Sequence, residues 1–168
     1  MPLLPLTFIL ATIAAQDLPD SFKPGDVLPE HGLIADMETS FTPPDGQAFR
    51  VVFDVARAGK EGEESPHIGK VARLLNMHGE GGLDPRPLDM VVVIHGSAVG
   101  DVTAEKRNGQ RAMVEALLGK GVRFIVCGQS LAGLEVPPEA LIPGVEIALS
   151  AMTAHASLME DGYHSMPF

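Results

Sequence analysis

Hydrophobic residues are spread unevenly along the chain. Between residues 16 and 48 they are scattered among polar residues and prolines at 19, 24, 29, 43 and 44. That pattern predicts an extended arm, with a short strand around Gly32–Met37, lying along its own domain or a neighbouring subunit. From Phe49 the pattern becomes regular. FRVVFDV at 49–55 is rich in β-branched and aromatic residues and predicts a strand. Ser65-Pro66 then opens a stretch in which Ile68, Val71, Leu74, Leu75 and Met77 recur at helical spacing, with Pro66 suited to the first turn. MVVVI at 90–94 is uninterrupted and apolar, as in a strand covered on both faces. Ala112, Met113, Leu117 and Leu118 predict a helix over 104–119, ended by Gly119 and Gly121. Val122–Val126 is the next buried strand and runs straight into Cys127-Gly128-Gln129-Ser130. A short helical piece, the Pro137-Pro138 pair, a strand at 145–149 and a last helix at 150–161 complete the chain. The alternation of strand and helix predicts an α/β fold with a mainly parallel sheet between helices.

Composition narrows the function. The 168 residues are 45% hydrophobic, which suits one core. The net charge of −10 would repel a phosphate backbone, so nucleic-acid binding is not expected. Residues 1–15, MPLLPLTFILATIAA, hold no charged residue and end in small residues before Gln16. The stretch is too short to span a bilayer comfortably and fits the apolar core of an export signal, although it lacks a positive leading segment. The expected organisation is therefore a hydrophobic signal-like segment at 1–15, an arm at 16–48 and an α/β domain at 49–168. The expected location is periplasmic or secreted, with no membrane span after signal removal. In an oxidising compartment a lone cysteine cannot form an internal disulfide, so Cys127 is free or pairs with another molecule.

In an open parallel sheet, reacting groups gather beyond the carboxyl ends of the strands. Those ends carry Asp54, then His95-Gly96-Ser97, then Cys127-Gly128-Gln129-Ser130, then Ser150-Ala151-Met152-Thr153. Cys127 precedes a helix start, where free N–H groups and the helix dipole favour a thiolate. The alternative for Cys127 is a small buried apolar residue. His95 could stabilise the thiolate, or simply bond to a loop. Six histidines, at 31, 67, 78, 95, 155 and 164, form no tight ligand pair, and neither HExxH nor CxxC occurs, so no metal is expected. No phosphate-binding glycine motif follows a strand, so no nucleotide cofactor is expected. Gly128-Gln129-Ser130-Leu131-Ala132 approaches the nucleophile elbow of hydrolases, with Glu135 or Glu146 and His155 or His164 available downstream. Its second glycine is an alanine, however, and little chain remains for a substrate pocket. Ser130 is better read as a helix N-cap.

Taken together, FRVVFDV (49–55), KVARLLNMH (70–78), DMVVVIHGSA (89–98), GVRFIVCGQSLA (121–132) and PGVEIALSAMTAH (143–155) resemble the DsrE/DsrF-like family. The resemblance covers about residues 48–168. It implies a three-layer α/β/α domain with about four or five strands, assembling into homo-oligomers. In sulfur-relay members a cysteine after the third strand carries sulfur as a persulfide, and Cys127 matches that position. The implied function is sulfur handling between a donor and an acceptor protein, using Cys127, with His95 as a stabiliser of the thiolate or persulfide. Gly128, Gln129, Ser130, Gly96 and Ser150 are the expected binding residues, and no cofactor is implied. The alternative is a non-enzymatic exported oligomeric or ligand-binding module whose cysteine senses redox state or is inert.

Overall fold

The computed structural model describes residues 19–60, 63–80, 88–105 and 108–166. The predicted signal-like segment at 1–15 lies outside the described residues. Two short strands, β1 (Phe22–Lys23) and β2 (Ile34–Ala35), pair antiparallel within the arm. The second falls where the sequence predicts one. The domain continues through β3 (Phe49–Val55), α1 (Pro66–Glu80), β4 (Leu88–Ile94), a 3-10 helix at Gly96–Val102, α2 (Arg111–Gly119), β5 (Arg123–Cys127) and α3 (Gly128–Gly133). It ends with β6 (Glu146–Ala148), α4 (Ala151–Glu160) and β7 (His164–Met166). The main sheet is entirely parallel, in the order β6-β5-β4-β3-β7. The fold is thus α/β with five strands between helices, as expected.

Strand alternation sorts the core into two layers. Val51, Phe53, Val55, Met90, Val92, Ile94, Phe124 and Val126 meet Ile68 and Val71 of α1 and Met113, Val114 and Leu117 of α2. The intervening residues Val52, Val91, Val93 and Ile125 meet Ala154 and Leu158 of α4, and Tyr163 after it. One helix therefore covers the second face, and its layer is thin.

The second helix and the last strand depart from expectation. The second helix starts at Arg111 rather than at 104. Asn108 explains this: its Nδ2 donates to the carbonyls of Asp101 and Thr103, and its Oδ1 accepts the Gln110 N–H. Those bonds hold Thr103 and Asn108–Gln110 outside the helix, and the apolar helical spacing begins only at Ala112. The unexpected strand is β7. Its residues HSM are exposed and carry no apolar alternation. It forms because Tyr163 anchors its start, packing on the sheet and donating its hydroxyl to Asp89 Oδ2 at 2.6 Å. The chain is thereby delivered alongside Val51–Phe53.

The arm packs on its own domain. Asn76 of α1 is fully buried, and its side chain accepts the Leu28 N–H and donates to the carbonyls of Leu28, His31 and Gly32. Leu28 adds its side chain to the main core. Replacing Asn76 leaves buried backbone groups without partners, which costs about 1–3 kcal/mol each where water cannot enter. Asn76→Ala should lower unfolding stability by roughly 2–4 kcal/mol and open residues 19–48 to protease. Denaturant unfolding and limited proteolysis would check this, and a variant with unchanged stability and an intact arm would contradict it.

Candidate functional site

The site lies at the carboxyl edge of the sheet, on the face covered by α4. Cys127 ends β5, and the register pairing Ile94 with Val126 sets His95 and Cys127 side by side. Asp54 sits one strand further on, at the end of β3. Alternation puts Asp54, His95 and Cys127 on the same face as Val52, Val93 and Ile125.

Cys127 is free and only 6% exposed. Its extended backbone makes it the N-cap position of α3, so the strand turns into the helix at the sulfur. Burial pushes the thiol up. The Ser130 hydroxyl and the backbone N–H groups of Ser130, Ala151 and Gln129 act against it, and the outcome is a thiol held below its ordinary value. Two of those amides belong to the first turn of α3, and the third opens α4. Two helix N-termini thus converge on one sulfur, each contributing unsatisfied N–H groups and the positive end of its dipole. The amides that serve it are those of Gln129, Ser130 and Ala151.

The neighbouring residues build this seat. A Cβ on Gly128 would lie 2.8 Å from the Ala148 carbonyl, so only glycine lets α3 approach β6 this closely. Gly96 adopts φ +56°, and a Cβ there would meet the Ala56 carbonyl at 2.8 Å. Its N–H donates to Ser130 Oγ at 3.1 Å, leaving that hydroxyl its proton for the sulfur. Ser130 is therefore not the N-cap expected from sequence, because the helix already begins at Gly128. Ser150 caps α4, accepting the Thr153 N–H at 3.0 Å, and so fixes where Ala151 presents its amide. Gln129 donates its side chain to the Leu149 carbonyl at 3.3 Å, tying α3 to the loop before α4.

His95 bonds to a carboxylate: its Nε2 lies 3.1 Å from Asp54 Oδ1. His155 of α4 reaches the same oxygen at 2.8 Å. Burial pushes the Asp54 carboxyl up, and the bonds from His155 and His95 outweigh it, leaving the group below its ordinary value. An ionised carboxylate only accepts, so both imidazoles carry their proton on Nε2 toward it. The serine hydrolase arrangement is not assembled, since His155 is bound to Asp54 and Glu146 to Arg123. Among the described residues no group of three His, Cys, Asp or Glu side chains is placed to hold a metal ion.

A groove of about 400 Å³ is lined by Gly59, Asp101, Asn108 and Gln110 among others, and its lining includes none of Asp54, His95, Cys127 and His155. Much of its polar lining is occupied in holding loops: Asp101 accepts the Gly59 N–H, and Gln110 joins Ser65 to Glu63. We therefore place the candidate chemistry at Cys127. Beside it, Leu149 and Met152 stand 74% and 81% exposed, and Ile147 projects from the edge strand β6.

The model of the DsrE/DsrF-like family matches residues 50–168. The chain belongs to this family. Its fold is also that of two solved structures. One is MTH1491 from Methanobacterium thermoautotrophicum, a protein of unknown function, at 20% identity and a TM-score of 0.55. The other is the ychN protein from E. coli, at 21% identity and a TM-score of 0.51. Each similarity covers 70% of this chain and 97% of the other. No curated protein matches the chain in sequence.

Ser130 is the residue whose removal most cleanly tests the seat. Ser130→Ala deletes the hydroxyl donor while keeping the backbone amides. The thiolate is the reacting form, so a lowered thiol value moves the rise in alkylation rate to lower pH. Ser130→Ala should move that rise upward and slow alkylation at neutral pH. An unchanged pH profile with iodoacetamide would show that the hydroxyl does not act on the sulfur.

Proposed function

We propose that this DsrE/DsrF-like protein carries sulfane sulfur on Cys127, taking it from a donor persulfide and passing it to an acceptor thiol. The observation that supports this most strongly is that the Ser130 hydroxyl and the N–H groups of Ser130, Ala151 and Gln129 lower the Cys127 thiol at the strand-to-helix turn. A thiolate attacks the outer sulfur of R–S–SH. The new S–S bond forms on Cys127, the old one breaks, and R–S⁻ leaves and takes up a proton. The same donors that favour the thiolate before attack favour it again as the leaving group when the sulfur is passed on. His95 supports the site from the adjacent strand end through Asp54. Gly96, Gly128, Gln129, Ser130 and Ser150 hold the donors in place.

Assembly into homo-oligomers is part of the proposal. The open edge of β6 and the exposed Ile147, Leu149 and Met152 favour a covering partner near the thiol. Export is also part of it, resting on the apolar, uncharged residues 1–15. Among the described residues no helix is long and apolar enough to cross a membrane. The low exposure of Cys127 favours a second reading, a non-enzymatic module whose thiol is sealed.

Intact mass spectrometry separates the two. Folded protein treated with polysulfide should gain the mass of one sulfur atom, and Cys127→Ser should gain none. A wild type that gains nothing would leave the module reading. The same spectrum reads the N-terminus, which should begin near Gln16 in exported material. Retention of Met1–Ala15 there would count against a cleaved signal.

A further inference from the structure

The pairing of Asp54 with two imidazoles is not required to hold the sulfur. His155 makes the shorter bond, 2.8 Å against 3.1 Å for His95, and its side chain is 20% exposed against 32%. It stands one helical turn after Ala151, whose N–H serves Cys127, so the two share a face of α4. Side chains on a helix lean toward its N-terminus, which brings His155 back toward the sulfur seat. With Nε2–H held by Asp54, the other ring nitrogen, Nδ1, is left as a base.

We infer that His155 is the general base for the thiol that discharges Cys127, with Asp54 as the positioning residue that fixes its tautomer. This rests on the sulfur-carrier reading. In the step, His155 Nδ1 takes the proton of R–SH. The resulting R–S⁻ attacks the outer sulfur of Cys127–S–SH, which stands about 2 Å beyond Sγ. The new S–S bond uses the thiolate pair, and the old bond's electrons pass to Cys127 Sγ. The products are R–S–SH, the Cys127 thiolate and an imidazolium on Asp54, with no external oxidant or reductant.

The charged groups around this base are few. Asp54 comes from β3, His95 from β4 and Cys127 from β5. The only ionisable residue of β6, Glu146, is paired with Arg123. β7 brings His164, level with Val51 rather than with Asp54. α3 has no ionisable side chain, and on α4 Glu160 lies at the far end.

The test compares two acceptors on protein loaded with polysulfide, with rates taken per loaded molecule. Mercaptoethanol is a weakly acidic thiol that needs a base near neutral pH. Thionitrobenzoate is already ionised there and needs none. His155→Gln should lose on the order of 10²-fold in rate with mercaptoethanol and keep most of its rate with thionitrobenzoate. Its remaining rate should rise with pH in step with free thiolate, whereas wild type should level off earlier. Asp54→Asn, whose amide can donate as well as accept and so no longer fixes the tautomer, should show the same selective loss and serves if His155→Gln folds poorly. Equal losses with both acceptors, or no loss with either, overturn the assignment while leaving sulfur carriage intact. A wild type that never loads overturns both.

Discussion

In a parallel sheet every strand ends at the same edge, and each chain must leave that edge through a connection. Here β5 leaves through α3 and β6 leaves through α4, so two helix N-termini open at neighbouring places. An N-terminus carries N–H groups that its own helix cannot satisfy. Gln129, Ser130 and Ala151 direct such groups onto Cys127. The close packing of Gly128 against Ala148, the Ser150 cap and the Gly96 turn all serve that convergence.

The sulfur's ionisation is a balance of opposing effects. Burial acts against the thiolate, and so does the surrounding net charge of −10. Surface charges are screened over about 8–10 Å at ordinary ionic strength, however. The four donors act on the sulfur at short range, and together they outweigh its burial. These donors therefore decide the outcome. The thin α4 layer matters for the same reason: it brings the helix close enough for Ala151 to reach the sulfur and for His155 to reach Asp54.

The sheet was largely legible in sequence because buried parallel strands leave strong signals. FRVVFDV, MVVVI and VRFIVC need no tertiary information to be found. β7 was not legible, since an exposed edge strand bonded on one side requires no apolar pattern. The start of α2 was hidden because Asn108 delays it through local side-chain bonds to Asp101, Thr103 and Gln110, which leave no mark in the apolar pattern. At the site, Cys127 and His95 could be placed on one rim from strand ends alone. Asp54 was visible as a rim residue, but its partnership with His155 spans about a hundred positions and depends on α4 crossing back over the sheet. Ser130 was assigned a capping role because the start of α3 could not be placed from the sequence. The cap position is Cys127, three residues earlier, and that offset leaves Ser130 in the first turn as a donor to the sulfur.

The Ser130 hydroxyl and the converging amides lower the Cys127 thiol below its ordinary value despite its burial. Nuclear magnetic resonance of the Cys127 Cβ carbon, followed against pH, reads that ionisation directly. In the folded protein the resonance should titrate below the same carbon in the denatured chain. Titration at or above the denatured value would show that burial prevails, and would contradict the account.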